Sequence, residues 1–97
     1  MRTYELVFIV QPDLDEEGLN AFVEQVQKVI TENGGEVVKV EQMGKRRLAH
    51  PIRHLKDGYY VLIHAKLDRL AMAELERTLK LSEDVLRHLL VRLDEAE

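Results

Sequence analysis

Residues 37–67, VVKVEQMGKRRLAHPIRHLKDGYYVLIHAKL, decide the fold, because they place two strands in succession at the centre of the chain. Residues 37–40 open the first strand, which is expected to bend near Gly44 and continue through residues 48–52. Glycine inside a strand pattern commonly marks such a distortion. Residues 54–58 read as a polar turn and residues 59–67, rich in β-branched and aromatic side chains, as the second strand. Each side of this pair then changes period. Upstream, Leu19, Phe22, Val23, Val26, Val29 and Ile30 recur at helical spacing, with Asp15 placed to cap the helix and Asn33-Gly34-Gly35 to end it. Downstream, Ala71, Met72, Leu75 and Leu79 share a helical face behind the capping residue Asp68, and Ser82-Glu83-Asp84 breaks that helix. Outermost are a strand at residues 3–10 and another at 85–93, followed by an acidic tail at 94–97 that is expected to fray.

The order is βαββαβ, the split-βαβ pattern of an α+β domain. Since strand-helix-strand crossovers keep one hand, both helices fall on the same side of a four-stranded antiparallel sheet. Alternation then assigns the faces. Tyr4, Leu6, Phe8 and Val10 point at the helices together with Tyr59, Val61, Ile63 and Ala65. Glu5, Val7, Ile9, Tyr60, Leu62 and His64 are left on the open face. An exposed apolar patch commonly marks a protein partner, which makes Val7, Ile9, Tyr60 and Leu62 the candidate docking residues. A flat face with scattered exposed hydrophobes is the plainer alternative.

Charge is distributed unevenly. The chain has 14 basic and 18 acidic side chains, for a net charge of −4. Between Gln42 and Lys56 there is no acid, whereas Lys45, Arg46, Arg47, Arg53 and Lys56 fall there with His50 and His54. Outside this window nine basic side chains face eighteen acidic ones, close to −9. One edge is therefore suited to an anionic partner that the remainder would repel. Phosphate is a common partner for several cations in one strip, and a solvated basic edge that protects a strand from aggregation is the alternative. Arg46, Arg47, Arg53 and Lys56 are the main candidates for phosphate contact, with Arg2, Lys45 and Arg87 as outer members. Neighbours on a strand point to opposite faces, so Arg46 and Arg47 share a surface only if Gly44 distorts the pleat.

Composition narrows the possible chemistry. With 97 residues, 45% hydrophobic and 33% charged, the chain is expected to form one folded domain over residues 1–97. The absence of cysteine excludes disulfides and thiolate nucleophiles. The longest apolar run, residues 6–10, is far too short to span a membrane, and a strand pattern starting at residue 3 is expected to leave no place for a signal peptide. No catalytic residue is nominated. The only serine, Ser82, stands beside two acids in a helix exit. Asp13, Asp15, Glu16 and Glu17 match ordinary helix-start acids better than a carboxylate pair or a metal site. His50 and His54 have helical metal-pair spacing, but Pro51 and a strand pattern separate them, so no metal is expected. Gly58-Tyr59-Tyr60-Val61 fits the stacking motif of an RNA-recognition module only loosely, since Asp57 stands where a basic residue belongs.

Longer motifs are more specific. Met1-Arg2-Thr3-Tyr4-Glu5, Val10-Gln11-Pro12-Asp13 and Gly44-Lys45-Arg46-Arg47-Leu48-Ala49-His50-Pro51-Ile52 resemble the bacterial small-subunit ribosomal protein S-six family. Tyr59-Tyr60-Val61-Leu62 and Asp84-Val85-Leu86-Arg87 continue the resemblance in order, so that it covers essentially the whole chain. One departure is His50, where that family usually carries tyrosine. The resemblance implies a ferredoxin-like domain on the cytoplasmic ribosome. It also implies binding to the central domain of small-subunit ribosomal RNA together with a small basic partner, ribosomal protein S-eighteen, with no cofactor and no small-molecule substrate. Two alternatives of the same topology are a generic RNA-recognition-like module and a small-molecule-binding regulatory domain. A third, an acylphosphatase-like hydrolase, lacks its phosphate-loop arginine, since Gln11-Pro12-Asp13-Leu14 occupies that loop.

Overall fold

The computed structural model describes residues 1–93; the tail expected at 94–97 lies outside the described residues. Its elements are β1 (Arg2–Val10), α1 (Glu16–Glu32), β2 (Glu36–Ile52), β3 (Leu55–Leu67), α2 (Arg69–Leu81) and β4 (Val85–Arg92). The four strands form one sheet in the order β2-β3-β1-β4, with every neighbouring pair antiparallel. This is the ferredoxin-like arrangement expected from the element order.

Local chemistry sets the helix ends where the sequence places them. The Asp15 carboxylate accepts from the Gly18 amide at 2.8 Å, and Asp68 accepts from the Ala71 amide at 2.9 Å. Each satisfies a donor that the first helical turn leaves unpaired. At the other end of α1 the Asn33 amide returns to the Ile30 carbonyl, and Gly34 takes the left-handed conformation (φ 86°) that stops the helix. After α2 the chain becomes extended at Ser82, whose hydroxyl accepts from the Asp84 amide at 3.2 Å.

The core lies between the helices and one face of the sheet. Leu6, Phe8 and Val10 of β1 and Val61, Ile63 and Ala65 of β3 are buried there with Leu19, Phe22, Val23, Val26 and Ile30 of α1 and Ala71, Leu75 and Leu79 of α2. Phe8 meets Phe22 edge-on at 5.8 Å, a favoured aromatic geometry. Tyr4 and Tyr59 point the same way and are half-buried at its margin. Burying these side chains is the main term holding the layers together.

Two expectations are corrected. The turn assigned to residues 54–58 is only Arg53 and His54, because Ile52 pairs with Leu55 and β3 begins there. Both turn residues have positive φ, 53° and 65°, as a tight hairpin matching the sheet twist requires. The usual sequence marker for such a turn is Asn-Gly or Asp-Gly, which Arg-His does not provide. Ile9 faces away from the helices as expected, but it is 8% exposed and therefore no part of an exposed patch. Its cover comes from the β2–β3 hairpin.

Candidate nucleic-acid and partner interface

The distal part of β2 is bulged. Arg47 is opposite Asp57 and Ile52 opposite Leu55, so the segment between them carries more residues than its partner and curls out of the ladder. Leu48 turns inward and is 8% exposed. With Ile52 it lines a cavity of about 120 Å³ together with Ile9, Tyr60 and Arg87, all on the side of the sheet away from the helices. The hairpin thus folds over one end of the open face and buries Ile9. Gly58 permits the close fit, since a Cβ there would sit 2.4 Å from Ile9 Cγ2. The hairpin tip reaches as far as the start of β4, where the Arg53 guanidinium donates to the carbonyls of Glu83 at 2.8 Å and Val85 at 3.1 Å.

The strip of cations is laid out by this hairpin. Lys45, Arg46 and Arg47 are opposite Tyr59, Gly58 and Asp57, and directly opposed residues share a face. Arg46 therefore lies on the open side, while Lys45 and Arg47 lie on the helix side of the edge. The Lys45 ammonium stands 5.4 Å from the Tyr59 ring centre, a cation–π distance. Gly44 has φ 86° at a register shift, yet Arg46 and Arg47 remain on opposite faces. Arg46 Nε donates to the Met43 carbonyl at 3.3 Å. Lys45, Arg46, Arg47, Lys56 and Arg87 are all exposed, and none is held in an ion pair among the described residues. Arg87 approaches the group from β4, beside Ile9 in the register. Arg2 does not join it. It pairs with Leu67 at the far end of β1, about 27 Å along the strand from the hairpin end.

The rest of the open face is apolar. Val7, Leu62 and Tyr60 are half-buried, and β4 adds Leu89 and Val91, which are 61% and 42% exposed. Val7, Ile9, Tyr60, Arg87, His88 and Leu89 line a shallow groove of about 300 Å³. At the opposite end His64 Nε2 lies 3.1 Å from Glu5 Oε2, forming a polar rim. Reasoning from the sequence missed four contributors. Leu89 and Val91 were legible as the outward half of an alternating strand, once β4 was seen to pair with β1. Leu48 and Ile52 gave no such signal, because the bulge that turns them has no local marker apart from Pro51. Among the described residues no cluster of His, Asp and Glu could hold a metal ion, and no helix is long and apolar enough to cross a membrane.

Comparison with known proteins identifies the arrangement. The sequence profile of the family described as Ribosomal protein S6 matches residues 3–92. The chain belongs to the ribosomal protein S6 family. It is similar to the "Small ribosomal subunit protein bS6" of Moorella thermoacetica, with 47% identity over 95 residues that cover 98% of this chain and 97% of that protein. Its similarity to the protein of the same name from Exiguobacterium sibiricum is 44% over 95 residues, covering 98% and 99%. The crystal structure of 30S ribosomal protein S6 from Thermotoga maritima superimposes with a TM-score of 0.90 at 34% identity, covering 95% of this chain and 87% of that one. As a ribosomal protein S6 the chain is a structural component of the small subunit of cytoplasmic ribosomes and not an enzyme.

Proposed function

We propose that this ribosomal protein S6 acts as one RNA-binding domain over residues 1–97. In this reading it binds the central domain of small-subunit ribosomal RNA cooperatively with the basic ribosomal protein S-eighteen. The observation that carries it is an exposed strip of cations along the hairpin edge, with Arg46 on the open side and Arg87 lining the apolar groove that the hairpin borders. Lys45, Arg46, Arg47, Lys56 and Arg87 contact phosphate, which positions the protein without reading base sequence. Arg53 has both terminal nitrogens of its fork on backbone carbonyls, and Arg2 is too distant for the same RNA segment. Val7, Tyr60 and Leu62, joined by Leu89 and Val91, supply the face for the partner, with Ile9 as its buried floor.

Charge explains why two proteins are needed. The acidic remainder of the chain opposes RNA approach at long range, and a basic partner on the open face offsets this while adding phosphate contacts of its own. By linkage, RNA tightens the protein pair by the factor by which the partner tightens RNA binding. Titrating a central-domain RNA fragment with this protein, with the partner and with an equimolar mixture tests the proposal. The expected coupling is about 1–3 kcal/mol. Each phosphate that these cations neutralise should add about −0.7 to −0.9 to the log–log salt slope. Equal affinity with and without the partner would reduce the protein to a generic RNA-binding module.

A further inference from the structure

We infer that Arg53 is a positioning residue: it clamps the basic hairpin to the α2–β4 connection, so that the phosphate-binding cations are held in place before RNA arrives. This deepens the RNA-binding reading above and rests on it. One observation carries the clamp and a second is consistent with it. The first is the bidentate bridge from one guanidinium to the carbonyls of Glu83 and Val85, which are thirty or more residues away in sequence and on the far side of β1. A planar fork of fixed donors can join two carbonyls in this way, whereas an ammonium is a single point charge. The second is the backbone at the turn. Arg53 and His54 both lie in the left-handed region, which histidine tolerates better than most side chains and which is uncommon for arginine. Such a conformation persists where surrounding contacts over-determine it. Here those contacts are the Arg53 bridge at the tip and Leu48 and Ile52 over Ile9 behind it.

The consequence concerns entropy. Lys45 to Arg47 and Lys56 stand on the two limbs of the hairpin, and Arg87 stands on the strand to which the clamp fastens it. A loose hairpin would have to be ordered against Arg87 during binding, and the clamp completes that ordering in advance. Arg53 therefore acts through the other cations.

Two substitutions separate this role from direct phosphate contact. Arg53→Lys keeps the charge and removes the fork, while Arg53→Ala removes both. Amide hydrogen exchange of the free protein is expected to rise across residues 47–57 in both variants and to stay unchanged in the buried part of β1 and β3. RNA affinity in the presence of the partner should fall roughly tenfold in both variants, with the salt slope unaltered. If Arg53 were a phosphate ligand, Arg53→Lys would bind and exchange like the parent, and Arg53→Ala would lose about 0.7 to 0.9 from the slope. Either of those results overturns the clamp. Should Arg53→Ala fail to fold, Arg53→Lys alone decides between the two outcomes. Absence of RNA binding by the parent would instead defeat the RNA-binding reading, and the exchange data would still report on the hairpin.

Discussion

Phe8 and Ile9 are consecutive on β1, point to opposite faces of one sheet and are both buried, at 0% and 8% exposure. Their covers differ in kind. Phe8 lies under α1 and α2, whose apolar stripes interlock with β1 and β3 into one cluster. Ile9 lies under a curl of the chain that contributes Leu48 and Ile52 and is fastened at its tip by Arg53. One face is closed by the fold itself. The other is closed at one end by a local device and remains open elsewhere, with Leu89 61% exposed. On the proposed function, the difference teaches that stability and recognition are divided between the two faces of the same strands. Side chains that hold the protein together alternate with side chains available to a partner.

The strongest way to break this comparison is to place the same charge on adjacent residues of β3. Val61→Asp puts a carboxylate with no partner into the helix-covered core, and the chain should fail to fold at 25 °C, since a buried unpaired charge costs several kcal/mol. Leu62→Asp is half-buried on the other face, next to Glu41 and Val7, and should cost about 1 kcal/mol. Urea denaturation followed by circular dichroism reads both. A folded Val61→Asp alongside an unfolded Leu62→Asp would invert the faces.

A smaller effect sharpens the contrast between the two covers. Ile9→Ala should destabilise by about 2 kcal/mol, at the lower end of the range for deleting a large buried aliphatic group. The hairpin can settle into the space because a bulged strand tethers it, whereas the helix layer that covers Phe8 cannot. Phe8→Ala should cost about 3–5 kcal/mol in the same assay. Equal losses at the two positions would mean that the hairpin is as rigid a cover as the helices.

The helix-covered face was legible in the sequence for a physical reason. Its side chains obey periods of two and 3.6, its helices begin at Asp15 and Asp68, and one ends at Asn33-Gly34, so that each local preference agrees with the tertiary result. The cation strip was legible too, as composition, because an acid-free window needs no structure to be seen. Its geometry was less so. Arg53 reads as one more cation, and only the closure of the hairpin brings its fork to two carbonyls outside the strip. Arg2 reads as an outer member because a charge count has no distances in it. Ile9 reads as exposed because alternation reports direction, and direction equals exposure only where nothing folds over the sheet. Leu48 turns inward at a register shift, where a period-two pattern loses its phase.

The smallest expected change in stability belongs to Leu89→Asp, and that is its use. Leu89 lies opposite Val7 on the open face and lines the groove, yet it is 61% exposed, so its replacement removes little burial and should alter stability by about 0.5 kcal/mol. Docking should respond far more. A partner seated on the groove would bury Leu89, and the substitution would desolvate a carboxylate among the apolar side chains of Val7, Ile9 and Tyr60. Desolvating the introduced carboxylate should cost more than about 1 kcal/mol, or about a fivefold or greater loss of affinity. Calorimetric titration of the variant with ribosomal protein S-eighteen, beside the parent protein, measures it directly. An unchanged affinity would move the partner off the open face and leave the groove without an occupant. A loss matched by an equal loss of RNA coupling would tie the apolar face to the cation strip, as cooperative assembly requires, because linkage transmits the same free energy in both directions.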